Sequence, residues 1–202
     1  AGLNAETAYK VGRYLGYYYS REGRRKIVIG KDTRLSSDML ENALASGIAA
    51  SGCDAYLVGF CPTPCVCYLT VNEDFACGAM ISASHNPYYD NGIKIFSKEG
   101  VKLQGEVEEL IEDYLDGKVD VPYATDDAIG RVISYPQGLE NYLDWIVEEY
   151  PLDLSGMKIA MDCANGSSSF TAERTLKRLG AEVNVFNAQP DGININSHCG
   201  ST

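Results

Sequence analysis

The sequence predicts an α/β fold of alternating strands and helices. Three observations carry that expectation. Short apolar runs at Lys26–Gly30, Ala55–Gly59, Cys77–Ser82 and 158–162 have the length of buried strands. Stretches with apolar residues every three or four positions lie between them, and clusters of Gly, Pro, Asn and Ser punctuate the joins.

Taken in order, Glu6 to Ser20 reads as an amphipathic helix with Ala8, Val11, Leu15 and Tyr18 on one face, and the run Tyr17 to Tyr19 as packing. Lys26 to Gly30 (KIVIG) is a strand leading into KDTRLSS, where Ser36 or Ser37 is placed to cap a helix running to about Ala50. Lys31, Arg34 and the free N–H groups of that helix start could face an anion, or form a salt-bridged helix entry. Ala55 to Gly59 is the next strand, Pro62-Thr63-Pro64 interrupts the chain, and a helix follows over Val66 to Val71. Cys77–Ser82 and Gly92–Ser97 are strands either side of a loop. Gly105 to Leu115 is helical, with Val107, Leu110, Ile111 and Leu115 on one face and acids on the other. The polar stretch from Gly117 to Gly130 reads as connection rather than core. A helix over Gln137 to Tyr150 carries Trp145, taken as packing. From Met157 a second unit begins: strand KIAMD, turn CANG, helix Ser168 to Leu179 with Gly180 as its C-cap, then strand EVNVF. The expected organisation is a first domain at 1–135, a linker helix at 136–156 and a second domain opening at 157–202.

The 28 acidic and 17 basic residues give a net charge of −11, which argues against a nucleic-acid partner, because such proteins carry basic faces. An anionic ligand would need a local basic pocket, which draws attention to Lys31, Arg34, His85 and Lys94. No run of about 18 apolar residues predicts a membrane span, and the first ten residues do not read as a signal peptide. Seven cysteines, an odd number scattered along the chain, fit reduced thiols and a cytoplasmic location. Cys61, Cys65 and Cys67 crowd together but lack a second Cys or His pair at ligand spacing, so a metal site there is disfavoured.

The chemistry concentrates in Ser82 to Phe96, SASHNPYYDNGIKIF. Asn86-Pro87 biases the backbone away from helix and Asn91-Gly92 tolerates positive φ, so the chain must fold back between two apolar runs. Ser84 and Lys94 could then meet. A serine hydroxyl needs a base or cation to act as nucleophile or phosphoryl acceptor, and His85 and Lys94 are at hand. The same pattern also suits a serine that caps a turn.

ASHNP followed by NGIK closely resembles the active-site serine loop of the α-D-phosphohexomutases. By that resemblance Ser84 carries a phosphoryl group that it donates to a sugar phosphate and later recovers, and Lys94 is a candidate general acid/base. His85 of the same motif joins Ser84 and Lys94 as a catalytic residue. Asn86, together with Lys31 and Arg34 of a segment similar to the family's Gly-Arg/Lys-Asp-x-Arg, becomes a support residue for phosphate or substrate. The family often has a Pro-Thr-Pro like that at 62–64, without these cysteines. Asp162 to Gly166 (DCANG) and Pro190 to Thr202 (PDGININSHCGST) are most similar to the phosphoglucosamine mutase branch, which implies glucosamine 6-phosphate as substrate and glucosamine 1-phosphate as product, on the way to cell-wall precursors. Bottom-up, that second block offers no catalytic group; Asp162 and His198 read as structural.

The resemblance further implies one Mg²⁺ per full-length subunit, a sugar 1,6-bisphosphate activator and a homodimeric full-length enzyme. The metal would meet Ser84 through its phosphate, but the family's Asp-x-Asp-x-Asp-Arg loop is expected after Thr202. An initial Gly-Thr-x-Gly-Ile-Arg-Gly loop is expected before Ala1, and the sugar-binding and phosphate-binding loops belong to two later domains. The chain is thus expected to hold about the first half of a family member and to lack turnover by itself. Rival readings are a phosphoglucomutase or phosphomannomutase, and a phosphosugar-binding module in which Ser84 does not react; a nucleotide-binding module lacks the G-x-G-x-x-G and Walker patterns.

Overall fold

The computed structural model describes residues 2–21, 23, 25–103 and 105–201, with residue 106 as backbone only. Its elements run α1 (Ala5–Ser20), β1 (Lys26–Lys31), α2 (Ser37–Ala49), β2 (Asp54–Phe60), α3 (Thr63–Asn72), β3 (Cys77–Ile81), β4 (Ile93–Ser97), α4 (Glu106–Leu115), β5 (Val132–Ser134), α5 (Gln137–Glu149), β6 (Lys158–Asp162), α6 (Ala172–Arg178) and β7 (Glu182–Phe186). Five strands form one sheet in the order β4-β3-β1-β2-β5, parallel except for the antiparallel β3–β4 pair; β6 and β7 form a separate parallel pair.

Strand alternation sorts the side chains into two cores. Ile27 and Ile29 of β1 point to the face covered by α1, α2 and α4, with Leu15, Leu44, Ile48 and Ile111. Val28 points the other way, to Val66 and Leu69 of α3 and Leu143 of α5. The first core depends on α1 and α2 touching through backbone: a Cβ at Gly12 would lie 2.1 Å from the Leu44 carbonyl oxygen, and one at Gly47 2.1 Å from that of Tyr9.

Several boundaries differ from the expectations. α3 begins at Thr63, with Pro64 in its first turn, where a missing N–H costs nothing. The 117–130 connection is not all surface: Val121 is buried in the first core, and its carbonyl accepts a 2.5 Å bond from Arg13 Nη2. β5 follows that connection as a three-residue edge strand parallel to β2. The helix expected from Ser168 is split into a 3₁₀ turn at Ser167–Phe170 and α6. Gly180, at φ +96°, closes α6 as expected, its N–H bonded to the Lys177 carbonyl. α5 packs Tyr142 and Trp145 against Tyr68 of α3, and its Glu140 and Asp144 pair with Arg174 and Arg178 of α6. It therefore touches helices packed on both sheets.

No helix among the described residues is long and apolar enough to cross a membrane. None of the seven cysteines forms a disulfide; Cys61 and Cys65 are fully buried in the second core, where their mutual hydrogen bond and burial push the Cys65 thiol far above its usual pKa.

Candidate active site

Parallel sheets gather functional loops at the carboxyl ends of their strands. Here the segments leaving β1 and β3 lie side by side, tied by the Asp32 N–H bonding to the Ile81 carbonyl at 3.0 Å. From β3 the chain runs out through Ser84, turns, and re-enters as β4, where Lys94 faces Met80 in register. The turn brings Lys94 Nζ to donate a 2.5 Å hydrogen bond to Ser84 Oγ. Ser84 is exposed and Lys94 half-buried, so a hydroxyl and an amine meet at the surface.

The loop reverses differently from the sequence expectation. Positive φ falls on Ser84 itself, at +55°, and not on Asn91 or Gly92. Gly92 is needed for closeness instead: a Cβ there would lie 2.8 Å from the Ser82 carbonyl oxygen, while the Gly92 carbonyl accepts from the Ser82 N–H at 2.9 Å. The strained Ser84 is held from its amino side, its N–H bonding Ser82 Oγ at 3.0 Å.

Arg34 holds the loop from within. Its guanidinium is almost fully buried. Nε bonds Asp32 Oδ2 at 2.9 Å, Nη1 bonds the carbonyls of Pro87 and Asp90, and Nη2 bonds those of Ser84 (3.0 Å) and Asn86 (2.9 Å). A guanidinium has five N–H donors, and all five are taken. Arg34 thus supports the Ser84 loop through its carbonyls. Asp32 in turn accepts from the Arg34 N–H and from Ser37 Oγ.

Lys31 is engaged with α2. Its ammonium pairs with buried Glu41 and, at 2.7 Å, with Asp38, both on α2, and sits 5.2 Å from the Phe60 ring centroid. Burial works against the Lys31 charge, yet the hydrogen bonds to Asp38 and Glu41 outweigh it and raise its pKa. Burial also raises Glu41, which Lys31 only partly offsets, and Glu41 Oε1 finds no partner among the described residues. The 2.7 Å bond to a second carboxylate, that of Asp38, holds Lys31 in its charged form. The expected cap of α2 is absent as well: Ser36 occupies the N-cap position, but its hydroxyl bonds Asn91 Oδ1 and that of Ser37 bonds Asp32.

His85 is exposed beside Ser84 and makes no hydrogen bond with the described residues. Asn86 contributes its backbone to the loop and bonds Asp90 Oδ2 through Nδ2 at 3.1 Å. Among the described residues no group of three or more His, Cys, Asp or Glu side chains could hold a metal ion. The donors present therefore do not fit Mg²⁺, which prefers about six oxygens including carboxylates. The cavities of 480 and 500 Å³ beside the end of α1 are lined by neither Ser84 nor Lys94.

One contributor escaped the sequence reading. Asn196, in the PDGININSHCGST block whose last residue lies outside the described residues, donates from Nδ2 to the Ser84 and Asn86 carbonyls, both at 3.1 Å. The block was visible as a motif, but no catalytic side chain marked it.

The chain is similar to several known proteins. A family model described as phosphoglucomutase/phosphomannomutase, alpha/beta/alpha domain I, matches residues 1–120. Curated proteins named phosphoglucosamine mutase are similar over nearly the whole chain. That of Lachnoclostridium phytofermentans is 48% identical over 201 residues, and that of Lachnospira eligens 47% over 204; each match covers 99% of this chain. The chain spans about 45% of the length of either relative. A phosphoglucomutase/phosphomannomutase family protein of Burkholderia thailandensis superposes with a TM-score of 0.79 at 27% identity, covering 94% of this chain and 42% of that one. A protein of Thermus thermophilus, at 24% identity and a TM-score of 0.74, shares the fold. The chain belongs to the phosphoglucomutase/phosphomannomutase family, whose alpha/beta/alpha domain I it carries.

Proposed function

We propose that the protein carrying this chain is a phosphoglucosamine mutase, interconverting glucosamine 6-phosphate and glucosamine 1-phosphate through a phosphorylated Ser84 and a sugar 1,6-bisphosphate. The observation that carries the reading is the 2.5 Å contact between Lys94 Nζ and Ser84 Oγ on a loop held by buried Arg34. The names of the relatives support the substrate.

In the first half-reaction the bond from phosphorus to Ser84 Oγ breaks, a bond to a sugar hydroxyl oxygen forms, and the hydroxyl proton is released. Lys94 is placed to hydrogen-bond or protonate the departing Oγ. In the second half-reaction Ser84 Oγ attacks the other phosphate of the bisphosphate and the bond from that phosphorus to its sugar oxygen breaks. The freed oxygen takes up a proton from solvent, replacing the one released in the first half, and the Lys94 amine that protonated Oγ in the first half takes the Oγ proton back. General acid/base help of this kind contributes roughly 10²–10⁴-fold. The phosphoserine carries about −1.5 to −2 charges, which Lys94 and, by its position, His85 would help to balance. When bound, Mg²⁺ would supply further charge neutralisation at the phosphoryl group, with ligands that this chain's described residues do not provide. A cytoplasmic enzyme acting on a soluble phosphosugar, and a homodimeric assembly, remain part of the same proposal.

The test expresses the protein from its complete reading frame and follows glucosamine 1-phosphate formation with Mg²⁺ and a sugar bisphosphate, beside Ser84→Ala. Turnover lost in Ser84→Ala supports the reading. Faster turnover of glucose or mannose phosphates would move the protein to the other mutases. Binding of phosphosugar with no turnover and no phosphate on Ser84 would make it a binding module.

A further inference from the structure

The second block of the sequence, DCANG with PDGININ, has no reactive group, yet it is built against the Ser84 loop. Thr33 Oγ1 bonds the Asn165 carbonyl at 2.6 Å, and the Leu35 N–H bonds the Gly192 carbonyl at 2.7 Å. Asn196 then reaches across to the loop. Both N–H groups of its amide are spent there, one on the Ser84 carbonyl and one on that of Asn86. These are the two carbonyls that Arg34 Nη2 binds from the segment leaving β1. Each oxygen has two lone pairs, so one arginine nitrogen and one amide nitrogen can share the pair.

We infer that Asn196 is a positioning residue for Ser84: it clamps the reactive loop from the side of the β6–β7 unit, opposite Arg34. The inference rests on the phosphoryl-transfer reading of Ser84. The backbone at Asn196 is shaped for the task. It is left-handed, at φ +57°, a conformation asparagine tolerates better than most residues, and its N–H is anchored on the Ala164 carbonyl at 2.9 Å. Ala164 and Asn165 are left-handed too, and Asn165 Oδ1 accepts from the Gln189 N–H at 3.1 Å. Asp162 fastens the same turn through the N–H groups of Ala164 and Gly200 and the Asn187 amide. A chain of hydrogen bonds thus runs from the end of β6 to the carbonyl of the reactive serine. Since Ser84 itself is strained, its carbonyl direction sets where Oγ stands relative to Lys94.

Asn196→Gly keeps the left-handed backbone and removes the two donors. Asn196→Asp keeps shape and backbone preference but presents an acceptor to two carbonyls. The protein from its complete reading frame is measured three ways. Hydrogen exchange at the Asn86 amide, bonded to the Ala83 carbonyl, should quicken roughly tenfold in Asn196→Gly and at least as much in Asn196→Asp, while β1 and β3 amides keep their protection, because a lost hydrogen bond shifts a local equilibrium by about that factor. With phosphoserine installed at position 84, the phosphorus resonance titrates near the phosphate's second pKa; Lys94→Ala should raise that midpoint, and both Asn196 variants should move it toward the Lys94→Ala value. In turnover, kcat should fall with little change in KM.

An Asn196→Asp protein that matches the unsubstituted one in loop exchange and phosphorus titration overturns the inference, since a contact of shape alone would survive that change. Failure of the mutase reading shows separately, as no turnover in the unsubstituted protein, and leaves exchange and titration to decide the role of Asn196.

Discussion

At Ser84 a left-handed serine, costing about 1–3 kcal/mol as a strained backbone position, is kept in place by bonds to its own N–H and carbonyl. Arg34 carries most of that constraint. Arg34→Ala would leave the Asp32 carboxylate and four carbonyls without their buried donor, and losing one partner of such a set costs about 3–5 kcal/mol. Urea unfolding should show the loss. Arg34→Lys should recover little of it, because three donors on a flexible stem cannot replace a planar fork of five. Lys94→Ala is expected to leave urea stability nearly unchanged and to slow turnover by roughly 10²–10⁴-fold, read from steady-state kinetics of the protein from its complete reading frame. The meeting of Ser84 with Lys94 was legible in the sequence, because two apolar runs so close together had to be joined by a reversal, although its positive φ falls on Ser84 and not on Asn91-Gly92. The work of Arg34 and Lys31 was not. Both are basic residues at a strand end, and only the tally of their acceptors shows that one serves carbonyls and the other two carboxylates.

Among the elements, the contact of α1 with α2 leaves no room for a methyl group. Gly12→Ala should therefore lower stability by about 1–3 kcal/mol despite the better helix propensity of alanine, because the new carbon meets a backbone oxygen that cannot turn aside. A lower melting temperature checks this. The turn after β6 adds a pH effect. Hydrogen bonds from the Gly200 and Ala164 N–H groups and the Asn187 amide hold the Asp162 carboxyl below its ordinary 3.8. A lowered carboxylate contributes stability above its unfolded value that disappears as pH falls through the folded one. The melting difference between the unsubstituted protein and Asp162→Asn should narrow below about pH 4 and be steady above it. A steady difference across that range would show that the carboxylate is not what holds the turn. The helices and main strands were legible because their apolar spacing repeats. β5 was not, since three residues with two exposed carry no period, and only pairing with β2 defines them. The burial of Val121 was hidden for a similar reason: a valine in a short stretch with no apolar period is meaningful only once Arg13 is seen bonding its carbonyl.

For the molecule as a whole, the acidic surface and the loop chemistry fit together if the anionic substrate is recognised locally, at a cation already paired with the nucleophile. Ser84 lies on open surface, so the 202-residue chain by itself should show no mutase turnover above its Ser84→Ala version. Turning a bisphosphate around requires further walls, and the relatives are more than twice as long. The central claim is that Ser84 carries the phosphoryl group. The protein from its complete reading frame, incubated with a sugar 1,6-bisphosphate and digested, should yield one phosphopeptide with the phosphate on Ser84, absent in Ser84→Ala and slower to appear in Lys94→Ala. Phosphate found on Ser82 or another hydroxyl while Ser84 stays unmodified would contradict the account.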